Sequence, residues 1–166
     1  VVAGDGAGRF DLMNWYDTVE AGATAFEACG ADEDFQKVMQ LRAVDPVGEV
    51  VGPWIGRMIF GNAPKGSKPV VVHRDYHTPR SAVQKALELA PELQNLMESL
   101  GVEVGVGMPI MKDDHEMLRI VYRFDSMVHW GQSVDKMVTD ERFLGIVNAA
   151  HEAATLKSPR MLVKVE

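Results

Sequence analysis

The chain has 166 residues, 46% apolar and 25% charged, the make-up of an ordinary globular protein of one domain or two small ones. A net charge of −7 with no local cluster of Lys and Arg argues against nucleic-acid binding, because an acidic surface repels phosphates. No apolar run approaches the roughly 18 residues that span a bilayer. The lone cysteine, Cys29, excludes an intrachain disulfide and fits a reducing, cytoplasmic setting.

The opening stretch VVAGDGAGRF has neither the basic nor the apolar region of a signal peptide. It also lacks an initiator methionine, so the chain reads as processed or as a fragment of a longer reading frame. Gly4, Gly6 and Gly8 have the look of a phosphate loop but lack the strand before and helix after that such a loop needs. They read as a weak glycine-rich strand or frayed start.

Residues 62–69 (NAPKGSKP) are dense in Gly, Pro, Ser and Lys and read as a linker. The stretch PVVVHRDYH then predicts a strand, with Thr78 as the N-cap and Pro79 as the first residue of a helix. From Arg80 to Leu100 the apolar residues follow helical spacing; Pro91 divides or kinks that helix and Gly101 stops it. Val102–Met111 predicts a strand, Lys112–His115 a turn, and Glu116–Phe124 a second strand of the same hairpin. Asp125 to about Ala154 reads as helical, with a break and new cap near Thr139-Asp140, and Pro159–Val165 closes as a strand. The class is α+β, a ferredoxin-like βαββαβ unit over 70–166.

The first 61 residues parallel its second half. Arg9–Trp15 (RFDLMNW) matches Arg123–Trp130 (RFDSMVHW), Asp32–Met39 matches Asp140–Val147, and Gly56–Phe60 matches Pro159–Val163. Residues 1–61 therefore read as a partial β-α-β repeat whose opening half is missing.

A strand ending in Arg-Phe-Asp, an amphipathic helix, the run DERF and a closing strand together resemble the dimeric α/β-barrel superfamily. That group includes antibiotic-biosynthesis-monooxygenase-like, haem-degrading, EthD-like and NIPSNAP-like proteins. The resemblance implies two sheets packed face to face, from two chains or from tandem repeats, and hence at least a homodimer. Haem-degrading members carry an iron-ligating histidine four residues after the phenylalanine of the Asp-x-x-Phe helix. Here Phe143 is followed at that spacing by Val147, and Phe35 by Met39, so the resemblance does not extend to haem degradation by this route.

On the predicted strand, alternation puts His73, Asp75 and His77 on one face and Val70, Val72, Arg74 and Tyr76 on the other. Neighbours in the trio are roughly 6.6 Å apart and the two histidines roughly 13 Å, too far to converge without a bend. Metal binding needs further ligands at fixed spacing that are not evident. Arg119 and Arg123 share a face of the hairpin strand, where they either hold an anion or pair with acids across strands.

Two functions follow. In the first, a small-molecule enzyme or binding protein works without metal or flavin. His73 or His77 is the general base, Arg119 and Arg123 stabilise the anion, Asp75 orients the ligand, and Tyr76 or Trp130 forms a wall beside a small aromatic or anionic ligand. In the second, the same polar face is a non-catalytic assembly interface. No cofactor, nucleic acid or membrane is expected in either.

Overall fold

The computed structural model describes residues 1–46, 48–61 and 68–165. Of the segment read as a linker, 62–67 lie outside the described residues. In chain order the elements are β1 (Ala3–Gly4), α1 (Val19–Ala31), α2 (Glu33–Val44), β2 (Ile55–Phe60), β3 (Val70–His77), a 3₁₀ turn (Arg80–Ala82), α3 (Val83–Glu88), α4 (Ala90–Ser99), β4 (Glu103–Met111), β5 (Met117–Phe124), α5 (Met127–Met137), α6 (Glu141–Ala153) and β6 (Thr155–Val163). They fall into two units, Val1–Leu12 with the described residues from Ile55 onward, and Met13–Trp54.

In the first unit the strands form an antiparallel sheet in the order β1-β6-β3-β5-β4-β2. Its middle four, β6-β3-β5-β4, with α3–α4 and α5–α6 as the connections, are the ferredoxin-like arrangement expected from the sequence. Alternation decides what each sheet face does. Val70, Val104, Tyr122, Phe124 and Met161 point to the helices and bury against Leu93, Leu96, Met97, Met137, Phe143 and Ile146. This is the main core, and its burial supplies the stabilisation that the edges do not.

The helix ends follow local chemistry. Pro91 stands at the start of α4 and separates it from α3. Gly101 holds φ +73°, while its own N–H donates to Glu98 O at 3.0 Å and that of Val102 to Met97 O at 2.9 Å. That is a Schellman ending, and it is why the chain turns straight into β4. Ser126 and Asp140 cap α5 and α6, so the break expected near Thr139-Asp140 is present. Thr78 departs from expectation. The 3₁₀ turn starts after Pro79 with no side-chain cap, while the Thr78 N–H donates to Glu116 O at 2.6 Å and its hydroxyl is buried. Thr78 thus extends the β3–β5 pairing, and its hydroxyl caps no helix.

Arg9–Trp15, the stretch that parallels Arg123–Trp130, has no regular structure. Gly4, Gly6 and Gly8 all hold positive φ and turn the chain away from β6 before Arg9 is reached. Ile55–Phe60 forms β2, which lies along the edge of β4.

In the second unit, Thr18 caps α1 by accepting from the Ala21 N–H at 3.0 Å, and Asp32 caps α2 by accepting from Phe35 N–H at 2.8 Å. Asp140 accepts from Phe143 N–H at 3.2 Å, so the two Asp-x-x-Phe segments share one local structure. Neither α1 nor α2 has a buried residue; Phe26, Val38, Leu41 and Val44 are all exposed.

Candidate functional site

The face of the sheet opposite α4–α6 holds the chemistry. In the antiparallel register Asp75 stands opposite Arg119, and His73 opposite Val121 on one side and Arg160 on the other. Arg123 stands opposite Glu103 on β4. Residues directly opposite share a face, so His73, Asp75, Arg119, Arg123 and Arg160 are brought together. Apolar side chains lie among them: Met117, Val121 and Leu162 are buried on this face.

Arg119 grips Asp75 through two N–H···O bonds, Nε to Oδ1 at 2.6 Å and Nη2 to Oδ2 at 2.7 Å. Lys112 Nζ is 3.8 Å from the same carboxylate. Burial would raise the Asp75 carboxyl, but the Arg119 hydrogen bonds and charge outweigh it and hold it below the usual carboxylate range. Arg123, itself buried, has Nη1 3.6 Å from Glu103 Oε2. Arg160 has Nη1 3.2 Å from Asp11 Oδ2, and Asp5 Oδ2 accepts from Ser158 Oγ at 2.9 Å.

His73 is 1% exposed, and among the described residues neither of its ring nitrogens has a hydrogen-bond partner. Burial pushes its pKa down to about 3, with Arg119 and Arg160 adding to the effect and Asp75 opposing it. The ring is therefore neutral at ordinary pH, with one N–H to donate and one lone pair to accept. So poor a base does not suit the removal of a proton from a phenol of pKa about 10. It suits a hydrogen-bonding contact.

His77 ends β3 and is partly exposed, its Nδ1 3.7 Å from Asp114 Oδ2 and its Nε2 3.9 Å from Glu116 Oε2. It is surrounded by acids of the β4–β5 turn rather than by the arginines. Tyr76 and Trp130 lie on the opposite, helix-covered side of the sheet. Tyr76 lines a cleft with Thr78, Ala86, Leu87, Leu118 and Ile120, and Trp130 lines another with Val72, Arg74, Tyr122, Met137 and Phe143. Neither cleft is lined by His73, His77, Arg119 or Arg123. Even strand positions cannot reach the face of odd ones, which is why the structure separates Tyr76 from the trio beside it. His129 serves the backbone, its Nδ1 accepting from Asp125 N–H at 3.1 Å and its Nε2 lying 2.8 Å from Leu100 O.

Arg160, Asp11 and Lys112 were not among the residues singled out from the sequence. Arg160 alternates with Leu162 on a strand expected there, and the ferredoxin-like order places that strand beside β3. That combination was the available signal. No signal marked Asp11, whose segment has no regular structure. Among the described residues no group of three or more His, Cys, Asp and Glu is placed to hold a metal ion, and no helix is long and apolar enough to cross a membrane.

No protein-family model and no curated protein matches the chain. Among solved structures it is similar to an uncharacterized NIPSNAP domain protein from Burkholderia xenovorans, at 12% identity over 58% of this chain and 94% of that one, with a TM-score of 0.50. Weaker likenesses include a conserved protein from Methanosarcina mazei Go1, at 15% identity over 59% of this chain and 95% of that one, TM-score 0.44. A heme-degrading enzyme from Listeria monocytogenes matches at 13% identity over 78% of this chain and 94% of that one, TM-score 0.49. Likenesses at such identity concern the fold alone. The fold shared with the NIPSNAP domain protein is the ferredoxin-like one expected from the sequence.

Proposed function

We propose that the chain is a small-molecule-binding protein on a dimeric α/β-barrel, monooxygenase-like in architecture, that takes a small aromatic or anionic ligand against the odd-numbered face of β3 and β5. The observation that carries this is His73, buried at 1% with neither nitrogen bonded among the described residues, beside Arg119, Arg123 and Arg160. A neutral polar ring is rarely hidden without a partner, and guanidinium groups gathered on one face suit an anion in the same space. In this reading Arg119 and Arg123 stabilise the anion, Asp75 holds Arg119 in position, and His73 makes a hydrogen bond. His77, nearer solvent at the end of β3, keeps the general-base role expected from the sequence. Tyr76 and Trp130, being on the other side of the sheet, are not given a part. No cofactor is invoked.

A second copy of the chain is the partner in this reading. Helices α1 and α2 have no fully buried residue, and the partial repeat read over residues 1–61 gains a cover when two copies assemble. The alternative, a face that serves assembly alone, draws on the Asp75–Arg119 and Glu103–Arg123 pairs, which leave those charges already compensated.

A thermal-melt series with phenol, benzoate, benzamide and 4-hydroxybenzoate, run beside light scattering, tests the proposal. Binding predicts a rise of roughly 3–5 °C at ten times Kd for the anionic members, lost in Arg123→Gln while the oligomer persists. No rise with any compound, together with dissociation of the oligomer in Arg123→Gln, would establish the assembly reading instead.

A further inference from the structure

Arg160 and His73 face each other directly across the β3–β6 ladder and leave the sheet on the same side. The Arg160 side chain is 13% exposed. Its Nη1 meets Asp11, while its Nε is buried with no hydrogen-bond partner among the described residues. Both nitrogens of His73 beside it are in the same condition. Asp75 does not supply the missing acceptor: its oxygens take the Arg119 N–H groups, and neither the His73 ring nor Arg160 Nε bonds to it. Two adjacent buried donors thus lack one acceptor.

Several features narrow what that acceptor is. The face already carries Asp75 and Glu103, which offset part of the charge of Arg119, Arg123 and Arg160, so a single negative charge is better matched than a phosphate dianion. A planar carboxylate fits the guanidinium fork and can accept from an imidazole N–H as well. Val121, Leu162 and Met117 line the same face, which suits an apolar body attached to that carboxylate.

Asp11 lies on a segment without regular structure, between Phe10 at 84% exposed and Leu12 at 99%. Its apolar neighbours bury almost nothing, so lifting the segment away sacrifices little beyond one ion pair. Asp11 offers Arg160 the same group that a ligand would.

We propose that Arg160 and His73 bind the carboxylate of a small, largely apolar organic acid, and that Asp11 occupies Arg160 until the ligand displaces it. This rests on the reading of the face as a ligand site and adds the ligand class, its anchor and its internal competitor.

Titration calorimetry of the full chain at pH 7 with benzoate, and with benzamide as the neutral isostere, tests it. Benzoate should bind roughly tenfold more tightly than benzamide. Asp11→Asn should tighten benzoate several-fold and leave benzamide unchanged. Arg160→Gln should weaken benzoate about tenfold or more and abolish the gain from Asp11→Asn. Should Arg160→Gln fail to fold, Arg160→Lys, which keeps the charge and loses the fork, and Asp11→Asn decide together. Unaltered benzoate affinity in Asp11→Asn or in the Arg160 variants overturns the proposal. If benzoate and benzamide bind equally and both are lost in Arg123→Gln, this proposal falls while the ligand face stands. If neither compound binds the wild type or Asp11→Asn, both readings fall.

Discussion

Arg119 and Asp75 stand at directly opposite positions of neighbouring strands and close a two-pronged ion pair, with N–H···O distances of 2.6 and 2.7 Å. The pair is largely withdrawn from water, with side-chain exposures of 22% and 8%. Truncating one member leaves the other charged and poorly solvated, which is costlier than losing both. Asp75→Ala should therefore destabilise the fold by about 2–4 kcal/mol. The double variant Asp75→Ala/Arg119→Ala should lose less than the sum of the two single losses, as measured by urea denaturation. Strictly additive losses would mean that the bonds contribute nothing specific.

His73 makes acid stability a readout of its burial. Its native pKa of about 3 lies below its ordinary value of 6.5, so between those limits the unfolded chain binds a proton that the native chain does not. Stability then rises with pH across that window and falls as the solution is acidified, by up to about 1.4 kcal/mol per pH unit. Asp75, held below the usual carboxylate range, loses its contribution only at lower pH. Urea midpoints between pH 6.5 and 5 should therefore fall for the wild type more steeply than for His73→Leu. Parallel curves would show that His73 titrates normally.

Gly101 ends α4 with φ +73°, a conformation that a Cβ disfavours. Gly101→Ala should cost about 1–2 kcal/mol without altering the secondary-structure content seen by circular dichroism. A neutral or stabilising outcome would mean that α4 does not end in the left-handed conformation.

The dimer expected from the barrel resemblance predicts a particle of twice the 18.3 kDa chain mass by size-exclusion chromatography with light scattering. Substituting Phe26 and Leu41, exposed on α1 and α2, by Glu should shift it toward the monomer if those helices are covered in the assembly. A monomer at all working concentrations would count against the barrel being completed by a second copy.

Local rules made much of the second half legible. The period-2 run at Val70–His77, the helical spacing interrupted at Pro91, the glycine stop at Gly101 and the Asp140 cap each involve residues near one another in sequence, and each appears in the structure. The face shared by His73 and Asp75, and that shared by Arg119 and Arg123, were likewise readable, because side chains alternate on any strand. Thr78 was misread because the same residue type ends a strand or caps a helix, and only the position of Glu116, just before β5, settled which.

What the sequence determined by itself was the order of elements, the helix boundaries and the division of each strand into two faces, all set by short-range sterics and periodicity. Which residues of neighbouring strands came to stand opposite one another was decided by tertiary structure alone. That choice put Arg160 opposite His73, gave Asp75 to Arg119, sent Tyr76 and Trp130 to the far side of the sheet, and brought Asp11 to a strand about 150 residues away. Charge also depended on it. A histidine is an ordinary base in sequence, and it became a neutral, weakly basic ring only when the fold withdrew it from water among arginines.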